Sequence, residues 1–226
     1  EPSVRPRRTL PKLADPDAPL LVVEDLKTYF TLESGTAKAV DGVSFRLEQG
    51  EALGIAGESG CGKTTTALSL VRILPSNGRI VGGSIKLMGI DLVPKSDNAL
   101  RRYRWREISI VLQGAMNALN PVQRVRDQVA EPIEQRLGAS SAEARKRAGE
   151  LLELVGIPRS RGAAYPHQLS GRMRQRAVLA LAPACAPAQV IGDEPHTAAD
   201  PIVPAQPPAP PPHPPTHPPP PPAPLP

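Results

Sequence analysis

The chain has 226 residues, a length that suits one mid-sized domain carrying a subdomain. Of its 30 prolines, 16 fall between Pro201 and Pro226, so that stretch is a separate compositional object. It contains no Lys, Arg, Asp or Glu, which places the whole net charge of +5 on residues 1–200. A hydrophobic content of 40% excludes a fully disordered chain. No apolar run approaches the roughly 20 residues of a membrane span. The opening Glu1 to Pro6 shows neither an initiator Met nor a signal-like apolar stretch, and the expectation is a soluble protein or a fragment of one.

Residues 1–19 are rich in Pro, Arg and Asp without periodicity and read as a disordered lead-in. Leu20–Leu26 and Val40–Leu47 read as short strands joined through a loop at Glu33-Ser34-Gly35. Ala52–Ala56 (ALGIA) is too short for a helix and leads straight into glycines, which predicts a buried parallel strand. Thr64–Leu74 carries apolar residues at helical spacing and should stop before Pro75 and the Ser76-Asn77-Gly78 turn. Arg101, Arg102, Arg104 and Arg106, interleaved with Tyr103 and Trp105, could face nucleic acid. A run this short reads more simply as the solvated face of a helix.

Ile108–Leu112 predicts another strand, and residues 114–187 read as mainly helical. Ser140 followed by Glu143 has capping-box spacing, Ala144, Ala148, Leu151, Leu152 and Val155 share one helical face, and Gly156 is a natural stop. Gln189–Gly192 is a short apolar strand running into Asp193-Glu194-Pro195. Strand, glycine loop, helix, helical insertion and second strand together indicate an α/β fold with a mostly parallel sheet. Cys61 and Cys185 are too few for a disulfide framework or a zinc site and read as reduced thiols.

Chemistry concentrates in Gly57-Glu58-Ser59-Gly60-Cys61-Gly62-Lys63-Thr64, which fits G-x-x-x-x-G-K-[ST] without a mismatch. Glycines let consecutive backbone N–H groups turn toward phosphate oxygens, and the helix that starts here adds its positive end. Lys63 would reach the terminal phosphates and the Thr64 hydroxyl would hold Mg²⁺. A glycine turn with an incidental Lys is the plain alternative, but a strand before and a helix after are the context phosphate binding requires. A carboxylate at the end of a buried strand, Asp193, could bind the same Mg²⁺, and Glu194 could polarise an attacking water.

Between these pieces lies Leu169-Ser170-Gly171-Arg172-Met173-Arg174-Gln175-Arg176. Here the sequence resembles the ATP-binding subunits of ABC transporters, whose signature is LSGG followed by Gln, Glu or Met. Val111-Leu112-Gln113 followed by GAMNALNPV, and the stretches LKTYF, KAVDGVSF, GESGCGKTT and YPHQLSG, are similar to the dipeptide, oligopeptide and nickel importer subfamily. The resemblance covers about residues 20–206. It implies a P-loop core with a small antiparallel β subdomain and a helical subdomain at about 114–187, followed by a Pro-rich tail from 207 to 226.

What the resemblance implies for function is specific. Phe30, or else Tyr29, would stack on adenine, and Gly57, Glu58, Ser59, Gly60, Cys61, Gly62, Lys63, Thr64 and Thr65 would wrap the phosphates. Gln113 would touch Mg²⁺ together with Thr64 and Asp193. Glu194 would be the general base, with Lys63 stabilising the transferred phosphoryl group. Leu169, Ser170, Gly171, Arg172 and Gln175 would form the signature facing the nucleotide of the opposite subunit, and Asp200 would belong to the dimer-contacting D-loop. His167 precedes the signature and reads as structural. ATP and Mg²⁺ are the implied cofactors. The implied partners are transmembrane permease subunits, a second ATP-binding subunit and, indirectly, an extracytoplasmic solute-binding protein, with no nucleic acid. The expected location is cytoplasmic, peripheral on the inner face of the cell membrane. The function inferred is ATP binding and hydrolysis powering import of peptides or a similar small solute.

Three departures stand against the pattern. Arg172 occupies the second glycine of the signature, His196 and Ala199 replace an expected Thr and Leu, and the likeness ends after Ala205-Gln206. The resemblance also implies a strand, carrying a switch histidine, between the Ala52–Ala56 and Gln189–Gly192 segments. His213 and His217, set among prolines, cannot supply it. These departures predict slow ATP turnover. A degenerate ATPase fragment acting as an interaction protein through a proline-rich ligand is the alternative reading, and a soluble P-loop ATPase acting on nucleic acid a third. The C-rich codons of Pro, Ala, Thr and His, with an abrupt onset inside a family motif, also fit a reading-frame change in a GC-rich gene. On composition alone, cutting after Gln206 should leave the thermal midpoint unchanged within error, and a scanning-calorimetry comparison checks it.

Overall fold

The structure, a computed structural model, describes residues 18–112 and 118–193. The lead-in through residue 17, Gln113, Glu194, His196, Asp200 and the proline-rich segment lie outside the described residues.

The first two strands form a long hairpin. Strand β1 (Leu21–Leu32) pairs antiparallel with β2 (Gly35–Leu47), and Leu32 lies opposite Gly35 across the Glu33-Ser34 turn. On its other edge β1 pairs antiparallel with β3 (Gly78–Leu87), which turns back into the short β4 (Ile90–Asp91). The resulting sheet has the order β2-β1-β3-β4 and is the small antiparallel unit that the resemblance implied. Its inner face buries Leu21, Val23, Leu26, Ile85 and Leu87, each at most 2% exposed, and α1 (Lys63–Leu70) packs there through Leu70. One polar tie crosses this apolar layer: Thr28 Oγ1 and Ser69 Oγ are 2.9 Å apart, and Ser69 also donates to the Thr65 carbonyl at 2.7 Å. Both side chains are buried and paired, as most buried hydroxyls are.

Helix α1 is shorter than its apolar spacing predicts, ending at Leu70 rather than Leu74. Arg72 adopts a left-handed φ of 54°, and Arg104 takes over the helix's free carbonyls. Its Nε donates to Val71 O at 2.9 Å and its Nη2 to Arg72 O at 2.5 Å, while Nη1 pairs with Asp97 at 2.8 Å. This cation at a helix C-terminus corrects the reading of the arginine cluster as a solvated helix face. The helix there is only the short α2 (Asp97–Leu100), and Arg101–Arg104 form turns beyond it.

The second core is helical, in keeping with the expectation for residues 114–187. Helix α3 (Val125–Pro132) continues into a π-helical turn at Ile133–Leu137, followed by α4 (Ser141–Leu154) and α5 (Gly171–Leu181). The capping box is present on α4: the Ser140 side chain accepts from Glu143 N, and Glu143 Oε2 accepts from Ser140 N at 3.0 Å. Ala144, Ala148, Leu151 and Leu152 are buried against Val125, Val129 and Ala177, and Val155 packs at the margin. Gly156, at φ 76°, closes the helix as its position predicts.

Strand β5 (Ile108–Val111) and β6 (Gln189–Gly192) pair in parallel, Ile108 opposite Gln189 through Val111 opposite Gly192. Among the described residues these two make up the whole parallel sheet. The predicted strand at Ala52–Ala56 is not formed. Residues 51–58 have no regular structure, and Leu53 and Ile55 are 47% and 50% exposed. A five-residue apolar run becomes a parallel strand only when a neighbour lies beside it, and no described strand does.

Cys185 follows α5, is buried, and donates its thiol to Pro132 O at 3.4 Å. Burial pushes this thiol up to about 11, from 9.0 for an exposed cysteine. Below the unfolded value both states are protonated and stability is unaffected. As pH rises toward the folded value, the unfolded chain ionises first and stability falls, by about 2–3 kcal/mol in all. Urea unfolding at pH 8 and at pH 10.5 should show a loss in the wild type that is smaller in Cys185→Ala.

Candidate functional site: a phosphate-binding loop and a buried carboxylate

The glycine-rich loop closes onto itself through its own lysine. Lys63 Nζ donates to the carbonyls of Gly57 and Glu58, each at 2.8 Å, and lies 3.8 Å from Cys61 Sγ. An ammonium has three donors, and the third points to Cys61 Sγ, a weak acceptor that an incoming anion would displace. Gly62 caps the helix at φ 97°, with its Cα against the Ala39 carbonyl, so that an added β-carbon would collide with that oxygen. Both the left-handed backbone and the close approach require glycine there. Among the described residues, the backbone N–H groups of Gly60, Gly62, Lys63 and Thr64 have no acceptor. They sit at the positive end of α1, an arrangement built for anions.

Thr64 follows Lys63 at the mouth of the loop, where its Oγ1 donates to Asp193 Oδ1 at 3.1 Å. Asp193 is 5% exposed and stands at the end of β6, held by its own N–H on Val111 O at 2.9 Å. Its Oδ2 is buried without a hydrogen-bond partner. An orphaned buried carboxylate oxygen beside a hydroxyl is the oxygen donor set a Mg²⁺ ion takes, so the residues present fit that ion.

The two aromatic candidates fall on opposite faces of β1. Thr28 points at α1 through Ser69, and Phe30, two residues on, shares that face. The Phe30 ring lies across Gly78, where an added β-carbon would come within 2.6 Å of it. Tyr29 points away, donates its hydroxyl to Asp41 at 2.7 Å, and lies under the Lys38 ammonium at 5.4 Å. That hydrogen bond raises the Tyr29 phenol above its usual range.

The signature residues are elsewhere. Ser170 caps α5, accepting from Met173 N at 3.3 Å, with Gly171 and Arg172 exposed at the helix's start and Leu169 buried beneath it. Gln175 is half-buried along the helix. His167 is exposed and stacks on Tyr165, ring centroids 5.7 Å apart. The fold therefore brings Gly57–Thr65 together with Asp193 and leaves Ser170–Arg172 facing outward, apart from them. Sequence reasoning missed the Arg104 clamp and the Thr28–Ser69 tie. An arginine shortly before a predicted strand, and a threonine among apolar strand residues, are the only signals either leaves.

A glycine loop around its lysine, a helix N-terminus and a carboxylate closing the mouth define a P-loop nucleotide-binding domain. Residues 40–197 match the family model described as ABC transporter, and the chain belongs to that family. It is 44% identical over 197 residues to the probable peptide ABC transporter ATP-binding protein y4tR of Sinorhizobium fredii, covering 85% of this chain and 59% of that protein. It is 46% identical over 194 residues to the oligopeptide transport ATP-binding protein OppD of Mycobacterium tuberculosis, covering 84% of this chain and 31% of the relative. The chain thus spans less than two thirds of these relatives. Among solved structures, it is similar to the dimeric ATP-binding cassette MJ0796 bound to ADP and Pi, with a TM-score of 0.73 and 25% identity, covering 81% of this chain and 77% of that one.

The seat of the loop is testable without nucleotide. Gly62→Ala places a methyl against the Ala39 carbonyl at a positive φ, and should lower stability by about 2–4 kcal/mol in urea unfolding.

Proposed function

We propose that this chain is the ATP-binding and ATP-hydrolysing subunit of an ABC-type importer for peptides or a similar small solute. The observation that carries this reading is the convergence of Lys63, Thr64 and the unpartnered Asp193 oxygen at the start of α1. The names of the relatives, all ATP-binding proteins of peptide transport, support the substrate class.

In this reading the phosphates of ATP lie in the loop from Gly57 to Thr65, with the free N–H groups and the third Lys63 donor meeting their oxygens. Phe30, on the α1 face of the sheet, is assigned to the adenine in preference to Tyr29, whose hydroxyl and ring are engaged on the other face. Thr64 and Asp193 hold Mg²⁺, joined by Gln113. When bound, that ion neutralises charge on the terminal phosphate oxygens. Glu194 is the general base. Ser170, Gly171 and Arg172, exposed at the start of α5, serve the nucleotide of a second ATP-binding subunit, with Asp200 at the same contact. The Arg172 side chain, where relatives of this kind carry glycine, crowds that contact and slows turnover.

No helix among the described residues is long and apolar enough to cross a membrane. Transmembrane permease subunits, fed by an extracytoplasmic solute-binding protein, would hold the chain on the inner face of the membrane.

Calorimetric titration with Mg-ATP tests the reading. Removing one charge-assisted contact is worth about 1.5–3 kcal/mol, so Lys63→Ala should bind about ten- to a hundredfold more weakly. Asp193→Asn should weaken Mg-ATP far more than ATP in EDTA. Equal affinities for all three proteins would overturn the assignment.

A further inference from the structure

Under the function proposed above, on which this inference rests, ATP touches two separate parts of the fold. Phe30 on β1 meets the base, and the loop from Gly57 to Thr65 at the start of α1 meets the phosphates. Each contact is fixed within its own element. The Phe30 ring lies across Gly78 of the paired strand, where an added β-carbon would come within 2.6 Å of it, so the ring is seated on the sheet. Gly62 and Lys63 fix the loop at the start of the helix. A ligand that spans both parts also needs a fixed distance between them.

Strand β1 and helix α1 meet largely through apolar side chains, with Leu21, Val23 and Leu26 in the same core as Leu70. Apolar contact is non-directional, whereas a hydrogen bond fixes both a distance and an angle. Among the described residues one hydrogen bond joins these two elements, between Thr28 Oγ1 and Ser69 Oγ at 2.9 Å. Its direction follows from the proton count. Ser69 donates its single proton to the Thr65 carbonyl at 2.7 Å, so Thr28 is the donor to Ser69. The chain Thr28–Ser69–Thr65 therefore starts two residues from Phe30, about 7 Å along the strand, and ends inside the phosphate loop.

We propose that Thr28 is a positioning residue for ATP, which acts through Ser69 to set the span between the Phe30 seat and the phosphate loop. Both hydroxyl-bearing side chains, at 0% exposure, are closed off from any ligand, so their effect is confined to geometry. Loss of the tie leaves each half of the site intact and lets the two halves drift. Affinity then falls only for a ligand that occupies both.

Calorimetry on the full chain with Mg-ATP and with Mg-tripolyphosphate, which lacks base and sugar, separates a ruler from a support. Thr28→Val keeps the shape of the side chain and removes the donor. It should weaken Mg-ATP binding about three- to tenfold, the worth of one hydrogen bond, and leave Mg-tripolyphosphate binding unchanged. Unchanged tripolyphosphate binding shows at the same time that the loop is folded. Thr28→Ser, which keeps a hydroxyl, should bind ATP as the wild type does. In a Phe30→Ala background, Thr28→Val should have no further effect on ATP, because no base contact remains to be misplaced. The proposal is overturned if Thr28→Val binds Mg-ATP like the wild type, or if it weakens both ligands alike, which would make Thr28 a support of the loop. It is also overturned if the losses from Thr28→Val and Phe30→Ala add in full. A wild type that binds neither ligand overturns the nucleotide reading itself, and this proposal with it.

Discussion

The contact on which the rest of the site depends is the seating of α1's first turn against the second strand of the hairpin. Gly62 reaches a left-handed conformation with its Cα against the Ala39 carbonyl, and this fixes where the helix begins. Lys63 can fold back over Gly57 and Glu58 only because the helix begins there. Thr64, one residue on, is then delivered to Asp193. A shift of one residue in the helix start would rotate Lys63 and Thr64 by about 100° around the axis and dissolve both contacts.

That seat is held from the antiparallel side of the fold. Thr28 on β1 bonds Ser69, which in turn bonds Thr65 O, so the hairpin grips the helix along its first two turns. Arg104 grips the other end by taking the carbonyls of Val71 and Arg72. The parallel pair contributes a single point, Asp193. Loop and carboxylate are thus supported by different sheets and meet at one hydrogen bond.

This division explains what could be read in the sequence. The glycine loop, the Ser140–Glu143 capping box, the Gly156 stop and β6 are local signals, written in neighbouring residues, and all are where their spacing put them. Strand pairing is not local. ALGIA has the composition of a buried strand, yet composition cannot supply the neighbour it must bond to, and residues 51–58 stay unpaired. The opposite error occurred at β3. The glycines of RIVGGSIKL conceal a strand that pairs with β1 across a register shift between Glu24 and Lys27. The early end of α1 was equally hidden, since it depends on Arg104, more than 30 residues away in sequence.

An open edge in the parallel sheet and an ordered phosphate loop coexist because they draw on separate supports. The unpaired 52–56 segment enters the loop only at Gly57, and Gly57 is fixed by the Lys63 ammonium on its carbonyl rather than by a strand partner. Beyond that point the loop's anchors other than Asp193 — Ala39, Thr28, Ser69, Arg104 — lie in or against the antiparallel unit and its core. Loss of order in residues 52–56 therefore reaches the loop through one residue, not through a sheet. What the open edge does put at stake is Asp193. Its strand β6 is four residues long and, among the described residues, bonded on one side, so the position of the carboxylate relative to Thr64 depends on how firmly β6 is held.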